Sequence, residues 1–285
     1  MFVGGFDNRE INCIFCTVTS EITESKYTIM KLLYCVLALS GLASGIFSQT
    51  TDPYFNRMNP LVKGYDGYNE RAKAYCNHAY VNMKNQEYKE AIYYYSKALD
   101  YDPKWPEAYN NRGIARRQLK DNNGAIEDFN RAIQLDSKYA EAYNNRGNAR
   151  LDIGDNEGAI SDYTLALKYD KKLPDTYNNR GLAKKNTGDF TGAIRDFSSA
   201  LKKRHSFADA YNNRGLAKIE IKEYEGAIID FTEAIEIAPE FAMAFSNRGV
   251  VKIRVGNKDE GCSDLKKAVS LGNLLANELI LKFCQ

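Results

Sequence analysis

The chain has 285 residues, of which 27% are charged, and its formal net charge at pH 7 is +2. A charge this small lacks the basic excess of most nucleic-acid-binding proteins, so the partners we expect include neither nucleic acid nor an anionic membrane surface. Only two histidines are present, and no nucleophile–histidine pair, metal cluster or phosphate-binding loop can be recognised in the sequence.

The N-terminal part carries an export signal. From Met30 the chain reads MKLLYCVLALSGLASGIFSQ, in which one lysine precedes an apolar stretch and then small and polar residues. This order is typical of a secretory signal peptide. We therefore expect residues 30–48 to be a signal, with cleavage between Gly45 and Gln49. The alternative is a retained membrane anchor, although the apolar run at residues 32–47 is short for a span of about 20 residues.

The residues on either side of this signal have simpler interpretations. Residues 1–29 are expected to be a gene-model extension or a disordered leader, because they form no charged region in front of an apolar core. Their Cys13 and Cys16 form a lone C-x-x-C motif, which lacks the second ligand pair of a zinc site, so no metal is predicted. Residues 49–71 contain Pro and Gly and are predicted to be a linker.

A 34-residue repeat follows the linker. The hexapeptide AYNNRG occurs at residues 108–113, 142–147 and 210–215, with close variants between and after these copies. Numbering from Ala72, position 4 is aromatic, position 8 is small, position 20 is Ala or Gly, position 24 is bulky and position 27 is always Ala. A fixed period of this length indicates stacked supersecondary units with one continuous core. The six copies are residues 72–105, 106–139, 140–173, 174–207, 208–241 and 242–275.

Each repeat is predicted to be a hairpin of two helices. Positions 20, 24, 27 and 28 recur at helical spacing, which predicts an amphipathic second helix. Between the halves stand Gly154-Asp155, Gly188-Asp189 and Gly256-Asn257. Gly suits the end of the first helix, and Asp or Asn can cap the second. We expect an all-α solenoid whose six hairpins wind into a right-handed superhelix, closed by a short capping helix at residues 276–285.

These positions resemble the tetratricopeptide repeat (TPR) family, and the resemblance covers residues 72–275, about 70% of the chain. Within the family, the sequence resembles exported bacterial TPR proteins with Asn-Arg-Gly repeats. Two positions depart from the family pattern: position 7 is Arg where Leu is usual, and position 11 is mostly basic where Tyr is usual. The fold assignment does not depend on these two positions.

The recurring arginines need an explanation, because an unpaired charge on a packed face is costly. An Asp stands 16 residues after each of the five Arg residues, on the predicted second helix. In the first repeat both members change together, to His78 and Tyr94. We predict five structural ion pairs, and the alternatives are solvated charges or ligand contacts. The predicted pairs are Arg112 with Asp128, Arg146 with Asp162, Arg180 with Asp196, Arg214 with Asp230 and Arg248 with Asp264.

The resemblance implies that the first helix of each hairpin lines a concave groove, and that positions 5 and 6 are close to it. Asn side chains offer donors and an acceptor that can pair with the backbone of an extended peptide. The alternative is that these amides bind neighbouring parts of the protein itself. The candidate groove residues are Asn77, Asn111, Asn145, Asn179, Asn213 and Asn247 at position 6, and Asn110, Asn144, Asn178 and Asn212 at position 5.

Three cysteines remain after removal of the signal, and an odd number in an exported protein leaves their pairing open. Cys262 faces the predicted capping helix, which contains Cys284. A disulfide between them and two buried thiols are both compatible with the sequence, because geometry decides between them.

Together these patterns predict a non-enzymatic scaffold that binds a protein or an extended peptide and needs no cofactor. The expected location is periplasmic or secreted. The alternative is a membrane-tethered assembly factor that keeps residues 32–47 as an anchor, so a membrane is a partner only in that case.

Overall fold

The computed structural model describes residues 70–285. The expected leader, signal peptide and C-x-x-C motif, and the linker up to residue 69, lie outside the described residues.

Residues 70–285 form 13 α-helices and no β-strand. Twelve helices form six consecutive hairpins and the thirteenth follows the last hairpin. The helices are α1 Glu70–Lys84, α2 Tyr88–Tyr101, α3 Pro106–Gln118, α4 Asn122–Leu135, α5 Ala140–Asp152, α6 Asn156–Tyr169, α7 Pro174–Asn186, α8 Phe190–Lys203, α9 Ala208–Glu220, α10 Tyr224–Ile237, α11 Ala242–Arg254, α12 Lys258–Ser270 and α13 Leu275–Phe283.

The packing order is that of an α-solenoid. Each helix packs against the next one along the chain, and from the second hairpin onward the first helices of consecutive hairpins also contact one another. The all-α solenoid predicted from the repeat is therefore confirmed. One boundary differs: Glu70 and Arg71, expected in the linker, form the first turn of α1. The linker prediction extended too far because the helix begins before the first repeated position.

The turns inside the hairpins use the residues that their backbone requires. Gly154 ends the turn after α5 with φ +82°, a conformation that costs glycine little. The next residue, Asp155, caps α6, because its Oδ1 accepts a hydrogen bond from Gly158 N at 2.9 Å. The same bond recurs at Asp189 with Gly192 N. Asn257 occupies the equivalent place, but its side chain makes no cap hydrogen bond.

Small residues let the two helices of a hairpin approach closely. Ala159 and Ala166, at positions 20 and 27 of the third repeat, are fully buried. A Cβ atom on Gly147 would lie only 2.7 Å from the ring of Tyr163, which is also fully buried. The ring therefore occupies the space that a side chain at position 147 would need, whereas the first repeat accommodates Ala79 together with Tyr95.

Candidate functional site

All five predicted Arg–Asp pairs are brought together, and we call them the Arg–Asp ladder. Arg146 shows the geometry: its Nε lies 2.9 Å from Asp162 Oδ2 and its Nη2 lies 2.6 Å from Oδ1. Such two-point pairing is the strong form of this contact. Asp162 is 1% exposed. The same bidentate geometry joins the other four pairs.

A second cation, which the sequence analysis did not assign, contacts each ladder carboxylate. Arg150 Nη1 lies 2.9 Å from Asp162 Oδ2. Position 11 was noted only as a departure from the family pattern. Its basic residues lie one helical turn after the ladder arginines, so helical spacing is the sequence signal that could have identified them. The corresponding contacts in the other repeats are Arg116 with Asp128, Lys184 with Asp196, Lys218 with Asp230 and Lys252 with Asp264.

Each ladder arginine also joins its hairpin to the preceding one. Arg146 Nη1 donates to Asn130 Oδ1 at 2.7 Å, and Asn130 lies on the second helix of the previous repeat. Position 25 carries Ser, Asn or Thr in five repeats, and this recurrence is the sequence signal for these partners. The equivalent bonds run from Arg112 to Ser96, Arg180 to Thr164, Arg214 to Ser198 and Arg248 to Thr232.

The first hairpin has an aromatic contact in place of the ion pair. His78 stacks on Tyr94 with 5.4 Å between ring centroids.

We call the Asn residues at positions 5 and 6 the amide row. Many of them bond to one another across repeats: Asn145 Nδ2 donates to Asn110 Oδ1 at 3.0 Å, and Asn213 Nδ2 donates to Asn178 Oδ1 at 3.1 Å. Asn247 Nδ2 donates to Asn212 Oδ1 in the same way. The structural role considered in the sequence analysis is therefore real for these residues.

The third repeat varies this pattern. Position 9 is Asn148 there, where neighbouring repeats have an apolar residue. Its Oδ1 accepts from Tyr163 Oη at 2.8 Å and from Asn179 Nδ2 at 3.0 Å. Burial raises the pKa of Tyr163, so this hydroxyl keeps its proton and donates. Asn144, without a position-6 donor, accepts instead from Thr176 Oγ1.

The two halves of the amide row differ in burial. Asn110, Asn178 and Asn212 at position 5 are buried. Asn145, Asn179, Asn213 and Asn247 at position 6 are half-buried, Asn77 is exposed and Asn111 is buried. An Asn side chain has two N–H donors and two acceptor lone pairs. Asn145 uses one donor on Asn110 and one lone pair for Asn144, so one of each remains for a ligand.

Cys262 and Cys284 form a disulfide. It joins α12 to the residue that follows α13, so the capping helix is held to the last hairpin. Among the described residues Cys76 is a free thiol, and burial raises its pKa.

The described part of the chain contains no helix with the length and hydropathy needed to cross a membrane. Within the same residues no cluster of three or more His, Cys, Asp or Glu side chains is placed to hold a metal ion.

The fold and the repeated contacts define a class of protein, an α-solenoid of helical hairpins. The family model described as "TPR repeat" matches residues 79–120, 115–154 and 147–188. The model described as "Tetratricopeptide repeat" matches residues 208–241. Together these matches cover about half of the chain. The chain is a tetratricopeptide-repeat protein, and domains of this family bind proteins or peptides.

Three solved structures illustrate the similarity in fold. MamA is 26% identical, with 58% of this chain and 96% of that chain covered and a TM-score of 0.54. YrrB, a TPR protein with an unusual peptide-binding site, is 21% identical, with coverages of 65% and 96% and a TM-score of 0.57. PilF of Pseudomonas aeruginosa is 18% identical, with coverages of 75% and 98% and a TM-score of 0.65. The last two likenesses show the fold alone. A comparison with curated protein sequences gives no match.

Proposed function

We propose that this protein is a non-enzymatic scaffold that binds an extended segment of a protein partner along the first helices of its hairpins. The observation that carries the proposal is the half-buried part of the amide row. Asn145, Asn179 and Asn213 recur one repeat apart, and each is only partly exposed. Each makes a bond to a neighbouring repeat that fixes the direction of its amide.

Fixed amides suit a peptide backbone. The orientation of each side chain is set before the ligand arrives, so little side-chain entropy is lost on binding. For Asn145 one donor and one lone pair remain, which match the C=O and N–H of an extended chain. Amide contacts of this kind recognise the backbone, so specificity must come from other groups in the groove.

The ladder carboxylates support a scaffold rather than an enzyme. Each is buried and held by two cations, as Asp162 is by Arg146 and Arg150. A catalytic acid or base needs a group that can reach a substrate, and these carboxylates are engaged within the protein.

We also propose that the protein is exported. The signal-like residues 30–48 support this location, and so does the disulfide between Cys262 and Cys284. Disulfides persist in oxidising compartments and are rare in the cytosol.

Site-specific cross-linking tests the proposed groove. A photoreactive amino acid is placed at Asn213 in the amide row or, as a control, at the exposed Glu236 on the second helix of the same hairpin. We expect a partner identified by mass spectrometry to cross-link from position 213 and not from position 236. Cross-linking of that partner from position 236 alone would place its site on the opposite helices.

A further inference from the structure

A cavity of about 670 Å³ lies beside the start of α9 and the connection between α10 and α11. It is largely open to solvent. Its lining combines two carboxylates, an aromatic ring and small residues from the first two and last four positions of the fifth repeat. The lining residues are Ala208, Asp209, Ala238, Pro239, Glu240 and Phe241.

The fourth repeat shows what the same positions hold when they are occupied. There an arginine, Arg204, stands at the position of Ala238. Its Nη2 donates to Oδ1 of Asp175, and its guanidinium carbon lies 3.8 Å from the ring centroid of Phe207. Asp175 and Phe207 are the equivalents of Asp209 and Phe241.

The backbone at the two positions is nearly the same. Arg204 has φ −141° and ψ 96°, and its N–H bonds to Ala200 O. Ala238 has φ −130° and ψ 87°, and its N–H bonds to Ala234 O. A side chain at position 238 would therefore point in the direction that Arg204 takes. In the fifth repeat the arginine is reduced to a methyl group, while the carboxylate and the ring remain.

We propose that this cavity binds an arginine side chain of a protein partner. Asp209 would accept hydrogen bonds from the guanidinium, and the face of Phe241 would stack on it. Glu240, which replaces Ser206 of the fourth repeat, adds a second carboxylate. Asp175 holds a guanidinium at the first turn of α7, so the equivalent place of Asp209 in the first turn of α9 is compatible with the same role.

Only the fifth repeat combines a small residue at position 31 with a carboxylate at position 2 and an aromatic ring at position 34. In the first three repeats position 31 is Asp, and in the sixth repeat positions 2 and 34 are Met243 and Leu275. The preference for a guanidinium follows from the cavity alone. That the arginine belongs to a protein partner rests on the proposed scaffold function.

The test is an NMR titration of the full chain with the peptide acetyl-Gly-Arg-Gly-amide. Matched peptides carry lysine or citrulline, and citrulline keeps the shape of arginine without its charge. We expect shift changes centred on Asp209 and Phe241, and binding of the citrulline peptide at least about ten-fold weaker. Equal binding of both peptides, or shift changes elsewhere, would overturn the proposal.

Two variants make the test sharper. Ala238→Arg should fill the cavity from within, as Arg204 does, and abolish peptide binding while the melting temperature is kept. Asp209→Asn should weaken binding at least about ten-fold; Asp209 is exposed, so the fold should not suffer. Unchanged binding in either folded variant would reject the cavity as the site. The cross-linking result at Asn213 does not depend on this cavity, so the two failures can be told apart.

Discussion

The ladder carboxylates are the residues on which most of the polar packing depends. Asp162 is 1% exposed and contacts both Arg146 and Arg150, whose side chains are 15% and 27% exposed. Removal of a carboxylate from water costs several kcal/mol unless it is paired and hydrogen-bonded. Two guanidinium groups pair with this one carboxylate. Loss of Asp162 therefore leaves both arginines without their carboxylate, whereas loss of one arginine leaves Asp162 paired with the other.

This geometry predicts an asymmetric response to substitution. Asp162→Ala should lower the free energy of unfolding by about 3–5 kcal/mol, because it leaves two partly buried cations without a carboxylate. Arg146→Ala should cost less, about 1.5–3 kcal/mol, because Arg150 still pairs with Asp162. Urea unfolding of each variant measures the difference.

The double variant supplies the control for this pair. Arg146→Ala with Asp162→Ala should cost less than the two single changes together, because neither partner is left alone. A purely additive cycle would mean that the pair contributes no coupling energy and that both side chains are effectively solvated.

At the scale of helices, the contacts that build one hairpin also attach it to its neighbour. Arg146 bonds to Asp162 in its own hairpin and to Asn130 in the preceding one. Asn145 likewise reaches back to Asn110. Polar bonds between repeats therefore accompany the apolar contacts, and the stability of each hairpin depends on its neighbours.

The last helix depends on a covalent bond as well as on packing. α13 contains only nine residues, which is too short for a stable isolated helix, and the disulfide closes a separation of 22 residues. Reduction should destabilise this end by roughly 3 kcal/mol by the chain-entropy estimate. Hydrogen exchange in α12 and α13, measured with and without reductant, should show faster exchange when Cys262 and Cys284 are reduced.

The variant Cys284→Ala is the control for this experiment. It should exchange at the fast rate in both conditions, because it has no bond to lose. Equal protection of α13 in the reduced and oxidised protein would show that packing alone holds the cap.

Sequence periodicity is sufficient for the helices and for some of the polar contacts. A 34-residue period fixes the register of two helices joined by a short turn, so Arg146 could be matched with Asp162. The bond from Arg146 to Asn130 was harder to predict, because it depends on how far one hairpin is rotated against the next. The cavity beside Asp209 was also not predictable, because it forms only where residues from both ends of one repeat come together in the folded chain.

At the scale of the whole molecule, the first proposal to test is export. If residues 30–48 are a cleaved signal, the mature protein should begin between residues 46 and 50. N-terminal sequencing of the native protein measures this directly. Recovery of intact residues 1–29 would contradict it.

The central claim is that the half-buried amides of the row bind a partner. Asn145 and Asn213 bond to Asn110 and Asn178, so replacement of either pair by Ala removes the same two inter-repeat hydrogen bonds. Asn110 and Asn178 are only 4% and 7% exposed, which makes them matched controls. The protein with Asn110 and Asn178 replaced loses at least as much stability but keeps the partly exposed amides.

The deciding measurement is the affinity of both double variants for the cross-linked partner, taken together with their melting temperatures. Asn145→Ala with Asn213→Ala should weaken binding about ten-fold, because loss of each amide removes about 0.5–1.5 kcal/mol of hydrogen bonding and 1.4 kcal/mol corresponds to ten-fold. The control with Asn110→Ala and Asn178→Ala should lose clearly less affinity, because the partly exposed amides remain and only their fixed orientation is lost. Equal losses of affinity in both variants, or no loss in the first, would contradict the proposal that these amides contact the partner.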